Sequence, residues 1–178
     1  MGSGNSGIAA IFADLVSSHV EIRPAQPADA ELIVSLVAEL AEYERAPQAV
    51  KATPDRLREA LFGPEPHAEA LIAELGDEPV GFALFFGTFS TWECRPGIWI
   101  EDLYVREAHR RSGVGGALLA RVADVAVQRG CARLEWAALG WNTPALDFYA
   151  KLGAEQLHQW VMLRLSGQAL RRASPPPG

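Results

Sequence analysis

The stretch IWIEDLYVREAHRRSGVGG, residues 98–116, decides the fold of this chain. Its first part, Ile98–Val105, is dense in β-branched and aromatic side chains, which are typical of a β-strand. A basic, glycine-rich turn follows at Arg110–Gly116, and apolar side chains then recur at helical spacing to about Gln128. The sequence therefore predicts a strand, a turn and a helix in direct succession.

The turn has the features of an anion-binding site. The first N–H groups of a helix have no partner within the helix, and the helix dipole adds partial positive charge there. Gly113, Gly115 and Gly116 have no β-carbon, so the backbone can approach an anion closely. Arg110 and Arg111 add positive charge at the mouth. The sequence therefore predicts that this turn binds a phosphate group, and the arrangement favours a diphosphate.

Two known diphosphate-binding motifs are absent from the turn, and this narrows the class of ligand that it can bind. A nucleotide-binding P-loop ends in Gly-Lys-Ser or Gly-Lys-Thr, which is absent here. A dinucleotide fingerprint needs Gly or Ala at the position that Leu118 occupies. An ATP-dependent transferase is therefore disfavoured. The alternative that involves no ligand is a basic surface turn before an ordinary helix.

Strand-like and helix-like segments alternate outward from this unit. The predicted strands are His19–Arg23, Ala68–Glu74, Val80–Phe89, Ile98–Val105, Ala132–Ala138 and Leu157–Leu165. Further helices are predicted to begin at Asp29, at Thr53 and at Asn142, and Trp92–Gly97 is expected to be a loop. This order predicts an α/β (α+β) fold with helices packed on the faces of a mixed sheet.

The length of 178 residues fits one domain with a substantial core. We expect residues 1–18 to be a partly disordered N-terminal extension and residues 19–170 to form the single domain. Residues 171–178 are rich in proline and are expected to be a disordered tail.

Composition argues against several classes of partner. The formal charge of −6 disfavours nucleic acid and anionic membrane, which attract basic surfaces. Cys94 and Cys131 have no metal-ligand spacing and are expected to be reduced thiols in a cytoplasmic protein. The four histidines are scattered, so no metal site is predicted.

Several separated motifs resemble one known superfamily. Arg110, Gly113 and Gly115, after the strand Ile98–Val105, resemble the acetyl-CoA motif of the GNAT superfamily of N-acetyltransferases. Within it, the chain is similar to the diamine (spermidine/spermine) and thialysine acetyltransferase branch. The segments that carry this second likeness are Glu39–Glu44, Phe89–Trp92, Glu101–Val105 and Asn142–Tyr149.

The resemblance implies a mostly antiparallel central sheet with helices on both faces. Two parallel strands, here Ile98–Val105 and Ala132–Ala138, are expected to splay apart and admit acetyl-CoA as the cosubstrate. The residues implied in cofactor binding are Leu103, Tyr104, Val105, Arg110, Arg111, Ser112, Gly113, Val114, Gly115, Gly116, Asn142 and Lys151. Those implied in substrate binding are Tyr43, Glu44, Trp92, Glu101 and Asp102.

The implied reaction is direct attack by an amine on the thioester in a ternary complex. An alkyl ammonium has a pKa of about 10, so it must lose a proton before it attacks. Glu101 is the predicted base, and Tyr149 is implied by the resemblance as the proton donor to the leaving thiolate. In a regular strand Glu101 and Asp102 point to opposite faces, so only one faces the reacting carbonyl unless a bulge intervenes. Asp102 is then either catalytic or a structural acceptor, and Tyr149 has the alternative of a core position.

The implied substrate is the primary amine of a small molecule, namely a polyamine, a diamine or a thialysine-like amine. The branch pattern is not matched at Arg45–Ala49, at Trp99 or at Gly140–Trp141. A shorter amine, or an amino-acid-like amine such as thialysine, therefore fits at least as well as a long polycation. The alternative from another class is an acyl-CoA-binding regulatory domain without turnover. The resemblance also implies a homodimer to which the C-terminal strand region contributes.

Overall fold

The computed structural model describes residues 19–175, and its centre is a five-stranded sheet. The strands are β1 (Val20–Pro24), β2 (Glu69–Leu75), β3 (Glu78–Ser90), β4 (Arg95–Val105) and β5 (Leu134–Trp136). They lie in the order β1-β2-β3-β4-β5. The first four pair antiparallel, and β4 and β5 pair parallel. The predicted mixed, mostly antiparallel sheet is therefore confirmed.

Five helices accompany the described sheet. They are α1 (Ala30–Tyr43), α2 (Pro54–Phe62), α3 (Val114–Gln128), α4 (Thr143–Lys151) and α5 (Gly167–Ala173). The Thr53 hydroxyl caps α2 by accepting a hydrogen bond from the Arg56 N–H at 3.4 Å. Asp29 precedes α1 as predicted, but its side chain does not cap that helix. Its carboxylate instead accepts hydrogen bonds from Arg23 and from the Gln26 N–H, because the basic side chain of β1 lies within reach.

The sheet separates two apolar layers. On one face α3 and α4 pack over a core that includes Ile98, Ile100 and Leu118. On the other face α1 and α2 pack over a second core that includes Ile33 and Phe82. The prediction of helices on both faces is confirmed. The central strand β4 therefore contributes side chains to both layers.

An ion pair fixes α1 relative to the end of β4. The Glu39 carboxylate of α1 accepts hydrogen bonds from the Arg106 guanidinium, one of them at 3.0 Å. Arg106 also donates to the backbone carbonyl of Pro79 at 2.8 Å, which joins the same point to β3. These contacts place the C-terminal end of α1, with Tyr43 and Glu44, beside the second half of β4.

Two predicted elements differ from the structure. The loop predicted at Trp92–Gly97 is shorter, because β4 begins at Arg95 and pairs with β3 from there. The strand predicted at Leu157–Leu165 is wrong, because no strand is assigned in the described chain after β5 and residues 155–175 are all exposed. This segment is apolar enough for a strand, but it pairs with neither edge strand of the described sheet, β1 or β5.

The predicted domain limits fall at the edges of the described chain. The N-terminal extension, residues 1–18, and the last three residues of the predicted tail lie outside the described residues. Helix α5 crosses the limit predicted between residues 170 and 171. The division of the chain into extension, domain and tail therefore stays a prediction.

Candidate active site

A cavity opens where β4 and β5 separate. The two strands pair only from Ile98 and Leu134 to Ile100 and Trp136, although β4 continues to Val105. Beyond this point both strands border a cavity of about 700 Å³. A cavity of this size is typical of a small-molecule site. The predicted splayed pair is therefore present, with β5 shorter than the predicted strand Ala132–Ala138.

Most of the predicted site residues meet in this cavity. They are Tyr43, Glu44, Glu101, Asp102, Leu103, Tyr104, Val105, Arg110, Arg111, Gly113, Gly115, Gly116, Asn142 and Tyr149. They come from the end of α1, from β4, from the turn before α3 and from α4 with its preceding loop. Their roles remain predictions, but the fold brings all of them to one place.

A β-bulge in β4 places two adjacent carboxylates on one face of the sheet. Leu84 of β3 pairs with Asp102 and the next residue, Phe85, pairs with Ile100, so Glu101 is the extra residue. Glu101 lies on the side of Trp99, whose indole N–H donates to its carboxylate at 3.1 Å. Asp102 shares its side with Tyr104, which belongs to the layer of α1 and α2. The bulge therefore removes the alternation that a regular strand imposes, and both carboxylates border the cavity.

Burial and two neighbouring acidic side chains disfavour a charged Asp102. Burial raises the pKa of the Asp102 carboxyl to about 6, and the like charges of Glu101 and Glu44 act in the same direction. Glu44 follows α1 and Glu101 lies in β4, so these charges are brought together only by the fold. Such an acidic group of side chains attracts a cation.

Tyr149 contributes the phenol of the site from α4. Its ring lies against the indole of Trp136 at the end of β5, with ring centres 5.0 Å apart. Burial raises the pKa of Tyr149 above its ordinary value, so its hydroxyl stays protonated at neutral pH. Tyr149 packs against the core and also borders the cavity, so the alternatives of core residue and site residue are not exclusive.

A cluster of polar and aromatic side chains joins α1 to the segment before α4. The Tyr43 hydroxyl donates to the side-chain carbonyl of Asn142 at 3.1 Å, and the Trp141 ring lies 5.8 Å from the Tyr43 ring. The Arg110 guanidinium lies 4.1 Å from the centre of the Tyr43 ring and donates from Nε to the Val105 carbonyl at 3.1 Å. Residues predicted to bind cofactor and substrate thus contact one another directly.

The glycine turn lies at the N-terminus of α3. Gly113 has φ of +86°, in the left-handed region, and α3 begins at Val114. Only glycine adopts this conformation without strain, which explains its presence here. The free N–H groups of a helix start, two nearby arginines and the open edge of β4 match the needs of a diphosphate joined to an amide-bearing arm. The residues present therefore fit coenzyme A.

Four predicted residues lie outside the cavity lining. Trp92 is 88% exposed in the turn between β3 and β4, where its ring lies 6.5 Å from that of Trp160. Lys151 is exposed at the end of α4. The Ser112 hydroxyl donates to the His109 carbonyl at 2.6 Å, and the Val114 side chain is buried in the core.

The apolar wall of the cavity is what the sequence reasoning missed. It consists of Leu40, Ile100, Leu119, Trp136, Ala137, Ala138, Leu139, Pro144, Ala145 and Phe148. These side chains have the same helix and strand periodicity as ordinary core residues. No signal in the sequence separates them from the core, although most flank the predicted motifs.

The model of the acetyltransferase (GNAT) family matches residues 34–154 of this chain. The chain belongs to this family. It is 38% identical over 163 residues to the thialysine N-epsilon-acetyltransferase of Bos taurus, and this alignment covers 85% of this chain and 95% of the bovine protein. It is 29% identical over 195 residues to an L-ornithine N5-acetyltransferase of Arabidopsis thaliana, with coverage of 84% and 86%. The chain is therefore a GNAT N-acetyltransferase, and acetyl-CoA is the general cosubstrate of the family.

Solved structures agree on the fold. An integron cassette protein from V. cholerae superposes with a TM-score of 0.73 at 24% identity and covers 88% of this chain and 98% of that one. An aminoglycoside acetyltransferase from a soil metagenome superposes with a TM-score of 0.72 at 18% identity, with coverage of 84% and 97%. At these identities the likeness shows the GNAT fold and nothing finer.

Proposed function

We propose that this GNAT enzyme transfers the acetyl group of acetyl-CoA to the primary amine of a polyamine, a diamine or a thialysine-like molecule. The observation that carries the proposal is the bulge in β4, which turns Glu101 and Asp102 toward one cavity. Tyr149 borders the same cavity, and the glycine turn lies at its rim. Groups that suit a cation, a leaving thiolate and a diphosphate therefore share one site.

The cosubstrate supplies the activated acetyl group when bound, and the chain's own groups hold it. Backbone groups of Leu103–Val105 pair with the pantetheine arm along the open edge of β4. The turn Arg111–Gly116 holds the diphosphate, with Arg110, Asn142 and Lys151 as further contacts. The cavity lining supports all of these positions except Lys151, Ser112 and Val114. Ser112 and Val114 take part through their backbone N–H groups.

The amine binds at the acidic end, where Tyr43, Glu44, Glu101 and Asp102 surround it. One of the two adjacent carboxylates removes a proton from the ammonium, and the resemblance favours Glu101 for this role. A backbone N–H of Leu103–Val105 stabilises the oxyanion as the nitrogen attacks the thioester carbonyl. Tyr149 donates a proton to the leaving sulfur. Attack is direct, within a ternary complex, and no metal takes part.

A short amine suits the site better than a long polycation. The relatives named for thialysine and for L-ornithine act on such amines according to their names, and this chain aligns with most of their length. Glu101 and Glu44 lie close enough to Asp102 to raise its pKa, and much of the remaining lining of the cavity is apolar. A single ammonium near Asp102 with a short aliphatic stem matches that distribution.

The test is release of free thiol from acetyl-CoA with a panel of putrescine, spermidine, thialysine, lysine and an aminoglycoside. Short primary amines are expected to be acetylated, and their N-acetylated forms, which lack the reactive amine, serve as matched controls. Absence of thiol release with every amine overturns the proposal. If calorimetry then still detects acetyl-CoA binding, the chain is the alternative, an acyl-CoA-binding regulatory domain without turnover.

We also propose that the enzyme is a homodimer in which the C-terminal segments contact the partner. Residues 155–175 are exposed throughout, and Trp160, Val161 and Leu163 are 64%, 78% and 88% exposed. A contiguous apolar run in water marks a surface that another protein covers. Beyond its pairing with β4, strand β5 has no second neighbour in the described sheet, so a strand from a second copy can add there.

Light scattering at micromolar concentration tests the dimer. Leu163→Asp is expected to give monomers, whereas Val127→Asp, at an exposed valine of α3, serves as the control and leaves the mass unchanged. A monomeric unmutated protein, or a Leu163→Asp variant that stays dimeric, contradicts the proposal.

We further propose a cytoplasmic enzyme whose partners include neither nucleic acid nor membrane. The formal charge of −6 supports this, as do the two free cysteines. Within residues 19–175 no helix is long and apolar enough to cross a bilayer. Fractionation of cells that express the tagged protein tests the location, and recovery with membranes contradicts it.

A further inference from the structure

The two adjacent carboxylates of β4 differ in their surroundings. Glu101 is exposed, and its carboxylate already accepts a hydrogen bond from the Trp99 indole at 3.1 Å. Asp102 is half-buried, and no group among residues 19–175 donates a hydrogen bond to it. The carboxylate of Asp102 is therefore the one without a partner in the described protein.

Asp102 lies just beyond the point where β4 and β5 separate. It follows Ile100, the last residue of β4 that pairs with β5, by two positions. On its other side it pairs with Leu84 of β3, an apolar residue that offers no side-chain donor. Asp102 therefore lines the cavity on the part of β4 that lies beyond its last pair with β5.

We propose that Asp102, rather than Glu101, accepts the proton that the substrate ammonium loses before it attacks the acetyl group. The inference rests on the proposed function, because it assigns one step of that reaction. In this arrangement Glu101 and Glu44 bind the cation and repel negative charge on Asp102. Glu101 is then a substrate-binding residue, and it affects the proton transfer only through its charge, which acts on Asp102.

The ammonium gives one proton to Asp102, and the lone pair of the neutral amine forms the C–N bond to the acetyl carbon. When the C–S bond breaks, the sulfur keeps the electron pair and takes the hydroxyl proton of Tyr149. The Tyr149 oxygen then takes a proton from the nitrogen. Asp102 then releases its proton to water. The products are the amide, the free thiol and one proton.

The ionisation of Asp102 suits this role. A general base works best when its pKa lies near the operating pH. Burial, with the charges of Glu101 and Glu44, raises the pKa of Asp102 to about 6, so the group is ionised at neutral pH and yet holds a proton well. A carboxylate at the ordinary value of about 3.9 is a base weaker by roughly two orders of magnitude.

Charged and titratable groups from every element around the cavity line it together with Asp102. They are Tyr43 and Glu44 at the end of α1, Glu101 and Tyr104 of β4, Arg110 and Arg111 of the turn, and Tyr149 of α4. Arg110 lies over the Tyr43 ring, and it is not among the groups that shift Asp102. The acidic neighbours Glu101 and Glu44 therefore dominate the field at Asp102.

The first test is the pH dependence of kcat/KM for the best amine of the panel. The unmutated enzyme is expected to lose activity below a pKa of about 6. Asp102→Asn is expected to lower kcat/KM by roughly 100-fold or more and to abolish this acidic limb. Glu101→Gln is expected to keep the limb and move it to lower pH, because one like charge is gone. The opposite pattern, with the limb lost in Glu101→Gln and kept in Asp102→Asn, overturns the inference.

The second test reads the carboxyl directly in the ligand-free protein. Side-chain carboxyl ¹³C shifts of labelled aspartate are expected to show one group that titrates near 6, absent in Asp102→Asn and shifted down in Glu101→Gln. An Asp102 signal that titrates near 4 contradicts the inference. The inference is also contradicted if the titration near 6 vanishes in Asp102→Asn but the acidic limb of kcat/KM persists in that variant.

The two failures are separable. If the unmutated protein releases no thiol with any amine, the proposed function fails, and the assignment of the proton acceptor fails with it. If the enzyme is active but its acidic limb follows Glu101, only the assignment to Asp102 is wrong.

Discussion

Replacing Asp102 by asparagine is predicted to stabilise the ligand-free protein at pH 8. The carboxyl has a pKa of about 6 in the folded protein, against about 3.9 in an unfolded chain. Because the folded state holds the proton more tightly, its stability falls as the pH rises from about 4 to about 6 and stays low above that range. A pKa higher by about 2 corresponds to about 3 kcal/mol of lost stability.

Asparagine keeps the shape of the side chain and has no charge to bury. We therefore expect Asp102→Asn to raise the free energy of unfolding by about 1–3 kcal/mol at pH 8 and to change it little at pH 4. Urea denaturation at fixed protein concentration measures both values, which keeps any dimer equilibrium constant. Asp147→Asn, at an exposed position of α4, is the matched control and is expected to stay within about 0.5 kcal/mol.

An Asp102→Asn variant that is as stable as the unmutated protein at pH 8, or less stable, refutes the predicted cost of burying this charge. That result means that the carboxylate is stabilised by partners in the folded state. The same result removes the physical basis for Asp102 as a base. A gain of equal size at pH 4 and pH 8 also contradicts the account, because ionisation is then not the cause.

Three further predictions concern the turn, the phenol and the structural ion pair. Gly113 has φ of +86°, a conformation that costs other residues about 1–2 kcal/mol. In Gly113→Ala the free turn is expected to relax, so binding must restore the strained conformation and the Kd for acetyl-CoA rises roughly 5- to 30-fold by calorimetry. Gly130→Ala, at φ of +67° beyond the other end of α3, is expected to lose similar stability with an unchanged Kd, and equal Kd values for both variants contradict this. Tyr149→Phe is expected to lower the single-turnover rate constant on the order of 100-fold with an unchanged Kd for acetyl-CoA. An unchanged rate constant refutes the role of Tyr149 as a proton donor. The Arg23 guanidinium lowers the pKa of Asp29 in the folded protein. The ion pair therefore contributes its full stabilisation above the ordinary pKa of an aspartate, and this stabilisation is lost as the pH falls through the lower folded pKa. Arg23→Met is therefore expected to cost about 1–2 kcal/mol in urea denaturation at pH 7 and less at pH 2, and an equal cost at both pH values contradicts it.

The sequence predicted the elements whose residues carry their own signal. Strand β4 was found from its β-branched and aromatic composition, and α3 from the glycine turn that precedes it. The start of β4 was missed because Pro96 and Gly97 are typical of loops. Pro96 is tolerated here because it lies in the first positions of the strand, where a missing N–H disrupts little pairing.

The elements that depend on distant partners could not be predicted. The segment Leu157–Leu165 has the apolar composition of a strand, but a strand needs an edge to pair with, and in the described chain the segment pairs with neither β1 nor β5. Whether such an edge comes from a second copy is a property of the assembly. The sequence of one chain does not contain that information in its local pattern.

The site was predictable in its residues and not in its geometry. The motif residues pointed to Glu101 and Asp102, but the alternation of a regular strand placed them on opposite faces. The bulge that unites them depends on how β3 pairs with β4, and no residue of the pair reveals it. The proximity of Glu44 likewise depends on the packing of α1 against the sheet.

The most direct test of the central claim is a crystal structure of the protein with coenzyme A and a short diamine. We predict the diphosphate against the N–H groups of Gly113–Gly116, the pantetheine arm along β4 between the separated strands, and one amine nitrogen hydrogen-bonded to Asp102. Coenzyme A bound elsewhere, or an amine held away from the β4 bulge, contradicts the account.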